Sequence, residues 1–368
     1  MPPPDAEAVR LLQRYVGVPS HEDPEGGLRF LEGALRRGGV PYRRLALRGA
    51  SPVLLAGAWE GLPGPRVLLA THGDTVPPSR TGRVRPGRVV GDRLFGRGSL
   101  DMKAGVILGL LLVREFWRHP GLRLALAVTT DEEGESAGAW GLLSRLPPGI
   151  GLVLVPEPTQ EVLNLSAWGR GVFWGGFEGP GGHGEGFGRP GEAPNPLRAL
   201  ARFLLRVPPG VQPLKVWTEG EGEVTLPQRA LARLDVLVPP GSTLARKEGE
   251  LRRRLQAEAD RLPPLAPVLR RAPRATPWLP PYRTGRDHAL VRAFLRSAAR
   301  SGTPPTVEEQ RGVGDFNVFG SVLPTVVYGP RGEGAHGEGE NVSLRSFHRC
   351  LAVYRDFLSG LSRPPEND

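Results

Sequence analysis

Short, uniformly apolar runs alternate with amphipathic stretches through residues 1–165. PVLLAGAWE, PRVLLATHGD, LRLALAVTTDE and IGLVLVPEP read as strands, while AGVILGLLLVREFWRH and GAWGLLSRL carry helical spacing. Strands without polar alternation, separated by helices, predict an α/β fold with a mostly parallel sheet covered by helices on both faces. RTGRVRPGRVVGDRLFGRG instead alternates like a hairpin and is expected to cross the top of the candidate site. At the N-terminus, Asp5 is placed to cap a helix with Val9, Leu12 and Val16 on one face.

The texture changes near Ser166. SAWGRGVFWGGFEGPGGH reads as a long strand ending in a glycine-rich turn, and NPLRALARFLLRV as a helix capped by Asn195. PLKVWTEGEGEVTLPQRALARLDVLVPP supplies two strands, STLARKEGELRRRLQAEADRL a helix and APVLRRAP a last strand. That order is the split βαβ, ferredoxin-like pattern of a small α+β domain. The expected organisation is a discontinuous α/β domain, 1–165 with 276–368, interrupted by an insertion at 166–275. The second part adds a helix in DHALVRAFLRSAARSG, a parallel strand in VLPTVVYGP and a closing helix in SLRSFHRCLAVYRDFLSGL. A length of 368 residues suits two domains.

Composition adds little to this picture. No apolar run is long enough to span a bilayer, and MPPPDAEAVRLLQRYVGV lacks the basic and apolar regions of an export signal. The single Cys350 leaves no internal disulfide and fits a reducing cytoplasm. The net charge of +10 is carried by arginines, with only Lys103, Lys215 and Lys247 as lysines. They are scattered, with no aromatic-interleaved basic patch, so neither nucleic acid nor membrane is expected as a partner.

Candidate chemistry gathers just past the apolar runs: His72 and Asp74, Asp101, the pair Glu132 and Glu133, Glu157, and His336. An open α/β sheet places its ligands there, at the carboxyl ends of its strands. Two imidazoles with several carboxylates match the donor preference of a pair of zinc-like ions, one carboxylate being able to bridge. Adjacent Glu132 and Glu133 repel unless a cation compensates, and one could bind metal while the other faces an activated water. Taken singly, each segment has a plainer reading. Asp74 could cap a turn beside a buried His72, Asp101 could cap the apolar helix after it, and DEEGE could be a solvated turn.

In order and spacing, HGDTVP, GRGSLDMKAG, DEEGES, PEPT and GAHGEGE resemble the co-catalytic metallohydrolases that include acetylornithine deacetylase, succinyl-diaminopimelate desuccinylase, aminoacylases and glutamate carboxypeptidases. The resemblance implies two divalent ions, zinc first, with cobalt or manganese as alternatives. It makes His72 and Glu157 ligands of one ion, Glu133 and His336 of the other, and Asp101 the bridge. It makes Glu132 the general acid/base, Asp74 the orienter of His72, and His183 the residue that polarises the scissile carbonyl of a neighbouring subunit. The insertion becomes a lid and dimerisation domain of a homodimer. The implied reaction is hydrolysis of an N-acyl amino acid, with a carboxypeptidase or dipeptidase, or a deacylase of a carrier-linked amino acid, as alternatives. A non-catalytic binding relative is a further reading, although no ligand or base is missing from the motifs.

Three positions depart from the pattern. Val224 and Leu237 stand where relatives carry an Asn and an Arg for the substrate carboxylate, and Gly314 stands where a hydroxyl residue is common. Asp235 and Asp315 are kept. Loss of a guanidinium anchor changes recognition; Arg170, Arg283 and Arg311 are the candidates to replace it.

Overall fold

A computed structural model describes residues 6–47, 50–57, 65–78, 85–183, 194–220, 225–301 and 306–361. Asp5 and Val224 lie outside the described residues. The chain divides into two compact units, Met1–Ala167 with Arg283–Asp368, and Trp168–Tyr282.

In the first unit the main sheet runs Tyr42–Leu47, Ala50–Gly57, Arg123–Thr129, Arg66–His72, Ile150–Val155, Thr325–Val327 and Leu163–Ala167. The inner strands Arg123–Thr129, Arg66–His72, Ile150–Val155 and Thr325–Val327 are parallel, and Tyr42–Leu47 with Ala50–Gly57 adds an antiparallel edge. Register sets Leu69 between Leu126 and Leu154, all without solvent exposure, which is why these strands lack polar alternation. The helix Ala104–Phe116 is apolar nearly all round and buried along its length. Gly105 and Gly109 let it approach the sheet, since a Cβ would lie 2.4 Å from the Pro156 carbonyl at one and 2.7 Å from Leu126 at the other. Helices Ala289–Arg300 and Leu344–Leu361 pack together through Phe294, whose ring centroid lies 5.2 Å from Tyr354 and 5.3 Å from Phe357. A second, four-stranded sheet orders Gly332–Glu333, Asn341–Ser343, Arg93–Phe95 and Arg88–Val90. The alternating RTGRVRPGRVVGDRLFGRG segment thus supplies two of its strands, and the chain on either side of His336 supplies the others.

The larger sheet of the second unit is antiparallel, in the order Val211–Glu219, Arg229–Val238, Gly169–Glu178, Ala266–Arg271. Helices Pro196–Leu204 and Leu244–Ala259 connect the strands, and Asn195 and Thr243 accept backbone N–H groups at their first turns. Phe173, Phe177, Leu200, Leu234 and Leu255 form its core. Strand–helix–strand–strand–helix–strand is the ferredoxin-like order. Residues 276–282 go with this unit, so its far boundary falls later than the sequence texture suggests. The Arg170 N–H donates to the Leu279 carbonyl at 2.9 Å, and Gly169 packs on Leu279 and Pro281. Among the described residues no helix is long and apolar enough to cross a membrane.

Candidate metal centre

Three neighbouring parallel strands deliver donors at their carboxyl ends. His72 ends Arg66–His72, Glu132 and Glu133 follow Arg123–Thr129, and Glu157 follows Ile150–Val155. Beyond Thr129 the chain turns back at Asp131, whose φ is 70° and whose carboxylate accepts the N–H groups of Glu135 and Ala137 at 3.2 and 3.3 Å. Asp101 sits in the turn Ser99–Lys103, entered through Gly98 at φ 76°. His336 comes from the loop between Gly332–Glu333 and Asn341–Ser343, with φ 61°.

These residues form two groups that could each hold a metal ion, His72–Asp101–Glu157 and Asp101–Glu133–His336, with donor atoms within 4.8 Å of one another in each. Asp101 belongs to both. Its Oδ1 lies 3.4 Å from His72 Nε2 and its Oδ2 3.1 Å from His336 Nε2. Glu157 Oε1 is 3.5 Å from His72 Nε2, and Glu133 Oε1 is 3.0 Å from His336 Nε2. On the far side of the imidazole, His72 Nδ1 lies 3.1 Å from the Asp74 carbonyl oxygen and 3.5 Å from Asp74 Oδ1. The other Asp74 oxygen accepts the Glu133 N–H at 3.2 Å, tying the imidazole to the next strand's turn. Glu132 stands in neither group, with its Oε2 3.9 Å from His72 Nε2.

The charge state of this cluster follows from its crowding. Burial lifts the Glu132 carboxyl well above the usual range; His72 opposes the shift, and Glu157, Asp315 and Asp101 add to it. Glu157 is raised well above its ordinary value by burial and by Asp101, and Glu133 upward mainly by burial. Partial burial acts the same way on Asp101, yet its contacts with His336 and His72 hold it well below the carboxylate range. Contact with Asp101 is the largest cause lifting His336 to about 9. A cation would relieve these strains, because it compensates like charges and takes the imidazole lone pairs. Two buried donor atoms, His72 Nε2 and Glu133 Oε1, also find no well-directed hydrogen bond among the described residues, their nearest polar neighbours being the other donors of the cluster. Nitrogen and carboxylate donors in this ratio suit zinc-type ions.

The remaining candidates belong to other elements. His183 is in the short strand Gly182–His183 of the second unit, its backbone paired with Thr225. Arg170 makes two parallel bonds of 2.7 Å to Asp235 and sits directly across the strand pair from Leu237. Arg283 pairs with Glu309. Three residues not singled out as site residues also surround the cluster. Asp315, buried and pushed up to about 6 mainly by that burial, accepts the Thr129 hydroxyl at 2.6 Å. Glu340 and Arg97 grip the Asp101 and His336 segments from behind. The sequence signals were the Asp after GVG and the Glu four residues beyond His336.

A model of peptidase family M20/M25/M40 matches residues 68–360. Succinyl-diaminopimelate desuccinylase of Rhizorhabdus wittichii is 27% identical over 380 residues, covering 96% of this chain and 97% of that protein. A protein of Aeropyrum pernix named as a LysW-lysine/LysW-ornithine hydrolase is 29% identical over 321 residues, covering 85% of each. In fold, the chain matches the Bacillus subtilis YXEP protein, described as a dinuclear metal-binding peptidase of the M20 family, with a TM-score of 0.72 at 15% identity, covering 96% of this chain and 98% of that one. The matched span takes in all seven clustered residues from His72 to His336, and the chain belongs to peptidase family M20/M25/M40 as a metal-dependent hydrolase of amide or peptide bonds.

Proposed function

We propose that the protein hydrolyses the amide bond of an N-acyl amino acid with two zinc ions, one at His72–Asp101–Glu157 and one at Asp101–Glu133–His336. The observation that carries this reading is the pair of three-donor groups sharing Asp101, with Glu132 beside them and in neither. Bound divalent cations supply Lewis-acid polarisation of the carbonyl and acidify the attacking water. Glu132, beside both donor groups and a member of neither, takes the proton of that water and returns it to the leaving amine. Asp74 fixes the ring of His72. His183 of a partner subunit polarises the scissile carbonyl, which requires a homodimer built through the second unit. Arg170 takes the substrate carboxylate in place of a guanidinium at Leu237, supported by its cross-strand position and by Asp235, which holds its fork in one orientation. The single cysteine supports a cytoplasmic location.

A panel of N-acetyl and N-succinyl amino acids and dipeptides, assayed with and without chelator, tests the proposal. Chelator-sensitive release of acetate or succinate is the expected result; release only of a C-terminal amino acid from peptides would make it a peptidase instead. A second reading, cleavage of an amino acid held by an acidic carrier protein, is favoured by the likeness to the A. pernix relative and by the net charge of +10.

A further inference from the structure

The two donor groups differ in what holds them. His72 and Glu157 come off the ends of buried strands, whereas His336 sits half-exposed in a loop, in a left-handed conformation that a non-glycine residue adopts only when its surroundings impose it. Behind that loop lies an ion pair. Glu340, 3% exposed, accepts the backbone N–H groups of Leu100 and Asp101 with one oxygen, each at 3.1 Å. Its other oxygen pairs with Arg97. Arg97 donates to the carbonyls of His336 and Gly337 at 3.0 and 3.2 Å, and to that of Pro77 at 3.3 Å. The Glu340 carbonyl accepts the Gly96 N–H at 3.0 Å, closing the ring of contacts.

Neither side chain is a donor in the two groups; each binds the backbone that carries donors. The pair reaches two of the three donor residues in Asp101–Glu133–His336 and one of three in His72–Asp101–Glu157. We propose that Arg97 and Glu340 are positioning residues that set the affinity of the Asp101–Glu133–His336 cation position, leaving the other position to the sheet. The inference rests on the reading that both groups hold cations. Charge-assisted bonds in a buried setting give such a clasp its stiffness, and partners of this kind behind metal ligands typically change metal affinity by about 10- to 100-fold when removed.

The test is a Zn(II) titration of the metal-stripped protein by competition with a chromophoric chelator, for wild type, Glu340→Gln and Arg97→Lys. Wild type is expected to bind two equivalents. Each variant keeps one at wild-type affinity and binds the second at least about tenfold more weakly. In the variants, kcat falls at limiting Zn(II) and returns with excess Zn(II), with KM unchanged. That rescue is something a merely structural defect would not show. Fewer than two equivalents in wild type would defeat the two-cation reading itself. Variant titrations matching wild type, or equal weakening of both equivalents, would overturn only the clasp. If Glu340→Gln does not fold, Arg97→Lys decides the question. Failure of both to fold would also overturn the proposal, which makes the clasp local to two loops.

Discussion

Replacing Glu132 by Gln removes one charge and the proton acceptor while keeping the side chain's volume. General-base catalysis of this kind contributes about 10²- to 10⁴-fold, or roughly 3–5.5 kcal/mol of barrier. The geometry puts the expected loss in the upper part of that range. Asp101, Glu133 and Glu157 are committed to the donor groups, so any of them would have to leave its cation to act as base in place of Glu132. We therefore expect Glu132→Gln to lower kcat by at least about 10³-fold. Because Glu132 is in neither donor group, the variant should keep both metal equivalents. The assay pairs steady-state kinetics on an acylated amino acid with metal analysis of the same sample. A fall of less than about tenfold, or loss of a metal equivalent, would refute the role assigned to Glu132.

In the metal-stripped protein, His336 is raised from 6.5 to about 9, chiefly by contact with Asp101, and Glu132, Glu133 and Glu157 are raised by burial. The folded chain then holds protons that the unfolded chain has released, so stability is expected to fall as pH rises from 6.5 to about 9. Saturating Zn(II) should flatten that slope in Tm, and parallel profiles with and without chelator would contradict it. Cys350 is fully buried and its thiol is pushed well up by that burial, so a disulfide reagent should miss it in the native protein and titrate one thiol in denaturant. Rapid native labelling would mean that the helix Leu344–Leu361 opens. Arg170→Met is expected to raise KM for substrates with a free carboxylate at least about tenfold while kcat stays near normal. An unchanged KM would reduce Arg170 to its structural pairing with Asp235.

What was legible in the sequence is what local pattern encodes. VLLA, LALAV and LVLV are apolar throughout because each is buried between neighbours, so the first ionisable residue after each run marks the carboxyl edge of the sheet. The split βαβ order of the insertion was equally visible, since its strands and capped helices follow short-range periodicity. Arg97 was not, and Glu340 only through its spacing from His336, because both stand in glycine-rich loops where charges are ordinarily solvated. Their burial arises only when strands from residues 93–95 and 341–343 pair, across a separation of more than 240 positions. Asp235 was noted only as a retained residue. Its partner Arg170 is fixed by strand register, and no single segment states that register. Lys103 shows the same limit. It is 1% exposed and donates to the Val18 carbonyl at 2.6 Å, a burial set by packing across 85 positions that its own segment does not state.

The shared carboxylate is the point on which the two-metal account turns, and counting Zn(II) bound per chain in wild type and Asp101→Asn tests it most directly. Two tight equivalents in wild type and the weakening of both in the variant are expected, because Asp101 serves both donor groups. Two undiminished equivalents in Asp101→Asn would contradict the account.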